Sequence, residues 1–520
     1  MPDKTTIQNW IDNHREFLLL IIILPLGKIL TMRDKIVERI QRPDPADHKK
    51  RIERVVEDVR QFNEMGKPLR TDRRGSRSLT TRMSDKSHST CIKMFDLRSI
   101  VSVDLDRCIV RVEPFATIGE VVSHLNKLDF QLETAIEMKG ATMGGLVLAI
   151  GMTTHSHISG LMHDIVEAYE IVTADGVLIR ATREGEHADL YRALPWSHGT
   201  LGLLVALELR IIPATPYVRL VYRPVYSLEF FCEEHSRLLR SDETPDYLEG
   251  QIFGRDRAVI IEGYPASADE AGKLPINDVN KWYKPFFFKH VESMLDLGSG
   301  KEYSELVPLS SYLMRHERSM CMTMGQILPT ANKPWFRHLF GWTLPPNMQL
   351  LKSSRPQEER ERSMRQQVYQ DFAFPAGHLR EILEHLHSEF EIYPLLVYPC
   401  RVFDRGGMVR LPGQHGKTWD GTTRSALYFN LGIYGTPKSV REGDTDYPTI
   451  NRVRDVEGMI RDRGGFLHTY VDVFSTSEEF KRMFDHSLWY EMRQKYKAEG
   501  VFPGIYDKVK PELDPLQLIL

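Results

Sequence analysis

The chain has 520 residues, 42% hydrophobic and 27% charged, with a formal net charge of −3. That length excludes one ordinary core and sets two or three domains as the expectation, and the near-neutral balance excludes the basic footprint of a nucleic-acid binder. Five scattered cysteines with no C-x-x-C pair exclude a zinc ribbon or dithiol motif and suit a reducing compartment.

The run Phe17–Leu26, FLLLIIILPL, is unbroken apolar sequence and continues past Gly27 and Lys28 to Met32. A spanning helix takes about 20 residues, so 17–32 reads as a short membrane anchor in a tail of 1–45. A cleaved signal peptide is the rival, although the run lacks an A-x-A-like end, and a buried helix is the third reading. Lys28, Arg33, Lys35, Arg39 and Arg42 outweigh Lys4 and Arg15 on the other flank, which places the main body in the cytosol. Ala46–Met65 repeats Ile52, Val55, Val56, Val59 and Phe62 at three- and four-residue steps, an amphipathic helix capped by Gly66. Val101–Val112 reads as a hairpin around Asp106. Thr117 and Glu120 form a capping box for a helix over Ile118–Lys127.

Ala141–Gly160, ATMGGLVLAIGMTTHSHISG, is the most informative stretch. Gly144, Gly145 and Gly151 bracket an apolar run among the hydroxyls of Thr142, Thr153, Thr154 and Ser156. Glycine lets the backbone approach a ligand, and a helical turn from Gly145 offers N–H groups to an anion. A dinucleotide pyrophosphate is one occupant; a glycine loop that only packs is the other reading. Glu167–Thr173 and Val177–Ala181 flank the turn Asp175-Gly176, and Gly199–Gly202 precedes a strand over Leu203–Ile212 that Pro213 stops. Residues 46–212 therefore mix helices and hairpins, an α+β pattern. No G-x-G-x-x-G follows a strand, so a dinucleotide site here is not of the Rossmann kind.

Beyond Pro213, helices are expected near Pro356–Gln370 and His378–Phe390. Trp282–His290 (WYKPFFFKH) and Trp335–Pro346 (WFRHLFGWTLPP) suit either a membrane-surface rim or core aromatics with charged edges. Of His378, His385 and His387 only the first two share a helix face, which reads as a solvated face and not a metal site.

Together these features resemble the delta-24 sterol reductase (diminuto/seladin) family, whose flavin domain is of the p-cresol methylhydroxylase type. The resemblance is carried by Val110–Gly119 (VRVEPFATIG), Thr142–Gly151 (TMGGLVLAIG), Ser156–Gly160, Ala168–Gly176 (AYEIVTADG) and Pro195–Pro213 (PWSHGTLGLLVALELRIIP). YKPFFFKHVE from Tyr283, FRHLFGW from Phe336 and YGTPK from Tyr434 extend it, so that it runs from about residue 50 to Lys508. It implies an α+β chain: a two-subdomain, vanillyl-alcohol-oxidase-like FAD-binding domain over 46–213, an α+β substrate or cap domain over 214–465, and a segment 466–520 that completes the site.

The resemblance further implies non-covalent FAD. Its cradle would be Thr142, Met143, Gly144, Gly145, Leu146, Val147, Leu148, Ala149, Ile150, Gly151, Met152, Thr153 and Thr154. Ser156, His157 and Gly160 follow it, Glu113, Pro114 and Gly119 adjoin it, and Gly199, Thr200 and Gly202 close the far side. His155 and His157 are expected to hydrogen-bond and not to attach the flavin. Where the family carries a TGRPGW-like loop this chain reads TDRRGS over Thr71–Ser76, keeping Arg73 and Gly75. Asp72 there calls for neutralisation by Arg70, Arg73, Arg74 or Arg77. Thr153-Thr154 is a second departure, from an acidic residue and serine.

The activity implied is NADPH-dependent reduction of the delta-24 double bond of a desmosterol-like sterol, in the endoplasmic reticulum membrane with a single pass. Another lipid or a sugar lactone as substrate of the same fold, or a sterol binder without catalysis, are the alternatives. An unactivated alkene accepts hydride poorly, so a positioned acid is required. Tyr434, His468, Tyr470 and Asp472 are the candidates, with Tyr470 and Asp472 expected on one face of a strand.

Overall fold

A computed structural model describes residues 19–40, 42–73, 88–347, 350, 357–411 and 424–518. Helix His48–Asn63 buries Ile52, Val55 and Val59 at helical spacing, and Gly66 beyond it takes the left-handed φ of +68° that glycine tolerates. It packs on a parallel pair, β1 (Leu69–Thr71) and β2 (Thr90–Ile92). An antiparallel sheet comes next, built from β3 (Ile100–Asp104), β4 (Ile109–Val112), β5 (Phe130–Leu132), β6 (Val166–Val172), β7 (Leu178–Thr182) and β8 (Leu203–Pro213). Its order is β3-β4-β8-β6-β7, with β5 also on β8. The central β8 reads LLVALELRIIP, a nearly continuous apolar strand that fits a position covered on both faces. The capping box of Thr117 and Glu120 opens helix Ile118–Leu125.

The second sheet follows at once. It holds β9 (Tyr217–Val225), β10 (Tyr247–Gly254), β11 (Arg257–Ala266), β12 (Tyr303–Pro308), β13 (Val368–Pro375), β14 (Leu395–Asp404), β15 (Arg424–Gly435) and β16 (Phe466–Leu467). All pairs are antiparallel, in the order β12-β9-β11-β10-β14-β15-β13-β16. Helices Leu228–Arg240, Leu379–Glu389 and Thr449–Asp462 cover its apolar side chains.

Two expectations need correction. The helix expected over 356–370 ends at Gln366, and Val368 opens β13. The run VYQDFAFP favours a pleated, buried strand through its aromatic and β-branched residues, and the charged helix ahead of it hides the change. Next, Tyr470 and Asp472 do not share a strand face. β16 is only two residues long, and the chain turns at once, Val471 N–H donating to the His468 carbonyl. The amino-terminal segment, where an anchor is expected, is described as a π-helical turn Leu19–Ile23 leading into helix Leu24–Ile40. Among the described residues no helix is long and apolar enough to cross a membrane; Phe17 and Leu18 lie outside them.

That helix rests on the 341–347 segment: Asn347 Nδ2 donates to Thr31 Oγ1 at 3.0 Å, and a Cβ on Gly27 would lie 3.2 Å from Asn347. The aromatic patches divide. Phe286, Phe287, Phe288 and Phe336 are core, whereas Trp282, Tyr283, Trp335, Leu339 and Trp342 are exposed.

Candidate active site

The cradle begins where β4 hands over to Glu113-Pro114. Thr142 bridges Thr117 and opens the short helix Met143–Leu148. Its first amides are not bare. Met143 N–H donates to the Ala116 carbonyl and Gly144 N–H to Pro114, both at 2.9 Å. Gly144 is glycine because a Cβ there would lie 2.7 Å from Pro114 Cβ. The picture of a row of free N–H groups is therefore corrected to a narrower one. Among the described residues the Gly145 N–H has no backbone acceptor. A Cβ on Gly145 would meet only Thr142 Oγ1, at 3.0 Å, and Arg73 Nη1, at 3.5 Å. Within Thr142–Thr154 all residues are buried except Gly145 and Ala149, one turn apart, which are partly exposed. An amide, a hydroxyl and a guanidinium thus converge beside the one open helix face, a donor set that fits a phosphate. Met143, Leu146, Val147, Leu148, Ile150 and Met152 point into the core.

Asp72 does not oppose this cradle: its Oδ1 accepts from Met94 N–H at 3.0 Å across the β1–β2 pair. Gly75, Arg74 and Arg77 lie outside the described residues. Glu113 is a correction. Its buried carboxylate is committed to His48 Nδ1 (2.7 Å), Arg51 Nη2 (2.7 Å) and Ser99 N–H (2.6 Å), holding helix His48–Asn63 to the sheet. Gly119, Gly151, Gly160 and Gly202 are close-approach positions against Lys139, Met162, Asp164 and Ile171.

The rings of His155 and His157 contact the carbonyls of Asp246 and Pro245 at 2.6 and 2.8 Å, and burial lowers His157 to about 4. Ser156 Oγ accepts from Thr153 N–H. Across the cleft, Trp196, His198 and Gly199 take positive φ. This turn is tied on all sides: His198 N–H donates to the Leu148 carbonyl, Lys508 Nζ to the His198 carbonyl, and Trp489 Nε1 to Thr200 Oγ1. His198 Nε2 lies 2.7 Å from Thr469 Oγ1, beside Tyr470.

Past the cradle a buried ionic network joins the two sheets. Thr153 Oγ1 donates to Glu137 at 3.0 Å, and Arg315 spans Glu137 (3.1 Å) and Glu249 (2.7 Å). Thr154 Oγ1 meets Tyr312 OH at 2.8 Å. Burial alone would raise Glu249, but Arg315 and His316 hold it down at about 2.

On the neighbouring strands the structure joins three of the sequence candidates to a carboxyl absent from the sequence reading. Asp371 on β13 stands opposite Gly432 on β15. Tyr434 OH donates to both Asp371 oxygens, at 2.6 and 2.7 Å. Gly432 makes the pair possible, since a Cβ there would lie 2.6 Å from Tyr434 OH and 2.8 Å from Asp371 Oδ1. Tyr470 and Asn430 lie close enough to pull on the carboxyl. His468 N–H donates to the Asp371 carbonyl, and its Nδ1 lies 3.3 Å from Tyr470 OH. Burial pushes Asp371 up to about 7 against the pull of these three neighbours. The same burial, with Asp371 beside them, raises the phenols of Tyr434 and Tyr470 well above their ordinary value and lowers His468 to about 3. Cys321 lies between the two networks, its thiol raised by burial and then by Glu137 and Asp371. Of the sequence candidates, Tyr434, His468 and Tyr470 are brought together. Asp472 stands apart, its carbonyl accepting from Gln370 Nε2. The one available signal for Asp371 was a lone carboxylate in a mainly apolar strand.

A family model for an FAD binding domain matches residues 49–182. The human delta(24)-sterol reductase is 35% identical over 469 residues, covering 89% of this chain and 87% of the human protein. The Arabidopsis thaliana delta(24)-sterol reductase is 34% identical over 435 residues, 81% of this chain and 76% of its own. The Caenorhabditis elegans delta(24)-sterol reductase homologue is 29% identical, with 94% of this chain and 93% of its own covered. The chain belongs to the delta(24)-sterol reductase family. The family match in the FAD binding domain covers the cradle, while Asp371, Tyr434 and Tyr470 fall outside it.

Proposed function

We propose that this chain is an FAD-dependent reductase that uses NADPH to saturate the delta-24 double bond of sterol side chains. The observation that carries the reading is similarity to delta(24)-sterol reductases over 89% of the chain, joined to an FAD binding domain match. Bound FAD supplies the hydride chemistry that no side chain possesses. The chain's own residues do the rest. Arg73, Thr142 and the Gly145 amide hold the phosphates, the Ala149 face and the Gly199–Gly202 turn border the ring system, and the engaged rings of His155 and His157 agree with a non-covalent cofactor. Tyr434 and Tyr470 serve the proton side of the reaction; Asp472 supports β13 through Gln370.

In this reading 46–213 binds the cofactor, 214–465 takes the sterol and 466–520 closes the site. The protein works at the endoplasmic reticulum membrane, single-pass, with its body in the cytosol. Support comes from exposed Ile29, Ile36 and Ile40 on helix Leu24–Ile40, from the adjacent exposed Trp335, Leu339 and Trp342, and from the interspersed lysines and arginines. The test is to purify the full chain, read its flavin absorbance, and supply desmosterol and NADPH. A yellow protein that consumes both is expected; a yellow protein that leaves desmosterol untouched refutes the reading.

A further inference from the structure

We propose that Asp371 is the proton source of the reduction and that Tyr470 is the phenol that delivers the proton to the alkene. The inference rests on the reductase reading above. Its ground is geometric. Three side chains gather at one buried carboxyl, Tyr434 and Asn430 from β15 and Tyr470 from the turn after β16, while the His468 main-chain N–H holds the carbonyl of the same residue. Cys321 is the other ionisable group within electrostatic reach of Asp371, and Glu137 acts on Tyr470. No lysine or arginine pairs with Asp371 among its described interactions, so nothing fixes it as an anion. A carboxyl in that position holds a proton near neutrality and releases it on demand.

The two phenols are not equivalent. Tyr434 is locked behind Gly432, with its hydroxyl on both carboxyl oxygens. Tyr470 follows Thr469, which is bonded to His198, whose N–H is bonded to the end of the cradle helix at Leu148. Tyr470 is thus the phenol linked to the cofactor side. The step balances as follows. The alkene π pair takes the Tyr470 hydroxyl proton at the less substituted carbon, Tyr470 regains a proton from the Asp371 carboxyl, and Asp371 is left as carboxylate. The tertiary cation is quenched by a hydride with its electron pair, the chemistry that reduced FAD held by the cradle would supply, with NADPH as the electron donor. Solvent reprotonates Asp371.

The test separates the half-reactions of the holoenzyme in stopped flow, following flavin absorbance in D371N, Y470F and Y434F. Bleaching by NADPH is expected to stay within about twofold of wild type in all three. Reoxidation by desmosterol is expected to fall about 10²-fold or more in D371N and Y470F, the range of a lost general acid, and less than tenfold in Y434F. The wild-type reoxidation rate is expected to fall about tenfold per pH unit above about 7, and this limb should be absent in D371N. A cofactor-free readout accompanies it: in an E457Q background, because burial also raises Glu457 to about 7, the infrared carboxylic C=O band should vanish near pH 7 and be missing when D371N is added. Normal reoxidation in D371N, or a pH limb that survives it, overturns the proposal alone. A wild-type reduced flavin that no delta-24 sterol reoxidises overturns the reductase reading, and this proposal with it.

Discussion

Gly145→Val is expected to empty the cofactor cradle while leaving the protein folded. The Cβ already lies at 3.0 Å from Thr142 Oγ1 and 3.5 Å from Arg73 Nη1, and no core atom stands nearby. Valine adds two methyl groups about 1.5 Å further out, filling the space where a phosphate would bridge hydroxyl, amide and guanidinium. Loss of one charge-assisted bond and one neutral one costs about 3–4 kcal/mol, a few hundredfold in FAD Kd. Gly144→Ala is the contrast: its Cβ would meet Pro114 Cβ at 2.7 Å, the Pro114 carbonyl at 3.1 Å and Leu204 Cδ2 at 3.3 Å. Overpacking of that kind costs about 1–3 kcal/mol of stability. Flavin titration of each variant, beside thermal unfolding of the cofactor-free form, separates the two effects. Gly145→Val should keep the apo Tm and lose FAD; Gly144→Ala should lower the apo Tm. If Gly145→Val binds FAD like wild type, the phosphate does not sit between Thr142 and Arg73.

Arg73→Ala should weaken FAD roughly 10- to 100-fold, whereas Asp72→Ala, which releases the Met94 N–H, should cost about 1 kcal/mol of stability and leave FAD affinity alone; parallel flavin and unfolding titrations check both. Glu457 is raised by burial from 4.5 to about 7, even while accepting from Phe474 N–H and Ser475 Oγ. A folded-state value above the unfolded one means the fold binds the extra proton, so its contribution to stability is full below 4.5 and is lost as pH rises to about 7, by about 3 kcal/mol. E457Q should therefore match wild type near pH 4 and exceed it near pH 8 in denaturant unfolding; equal pH dependence would refute this. Deleting 5–32 should release the chain from vesicles in flotation, and an added W342E, L339E pair should abolish residual binding; a truncated chain that still floats with vesicles assigns attachment to the aromatic knuckle.

The local elements of the candidate cofactor half were legible because their signals are local. Thr117 and Glu120 sit three residues apart, Gly176 occupies its own turn, and Thr142–Gly151 carries its glycines in one run. Even there the sequence misjudged the amides of Met143 and Gly144, because their acceptors, Ala116 and Pro114, come from a loop about 30 residues away. Glu113 misled for the same reason: its partners His48 and Arg51 lie on a helix that only the fold brings beside it. The acid half was hidden more deeply. Asp371, Tyr434 and Tyr470 are separated by 63 and 36 residues and meet only through the β13–β15 register and the turn after β16. A helical reading of 356–370 stopped one residue short of the carboxyl.

The two halves are one device because of how the second sheet is tied down. Asp371 is raised by burial, and that burial exists only if β16 and the turn after it stay docked. The turn is held by Thr469 on His198, and His198 by its own N–H on Leu148, the last residue of the cradle helix. Lys508 and Trp489, from the carboxyl-terminal segment, clamp the same loop on His198 and Thr200. Anything that displaces the 196–202 loop therefore opens a path for water toward Tyr470 and returns the carboxyl toward its ordinary range, where it no longer carries a proton at neutral pH. His198→Ala tests this coupling: it removes the Thr469 contact while touching neither Asp371 nor the phosphate cradle. Sterol-dependent reoxidation should fall and its pH limb should move to lower pH, with NADPH bleaching preserved. A limb that stays at about pH 7 in His198→Ala would mean that β13 and β15 alone keep the acid dry.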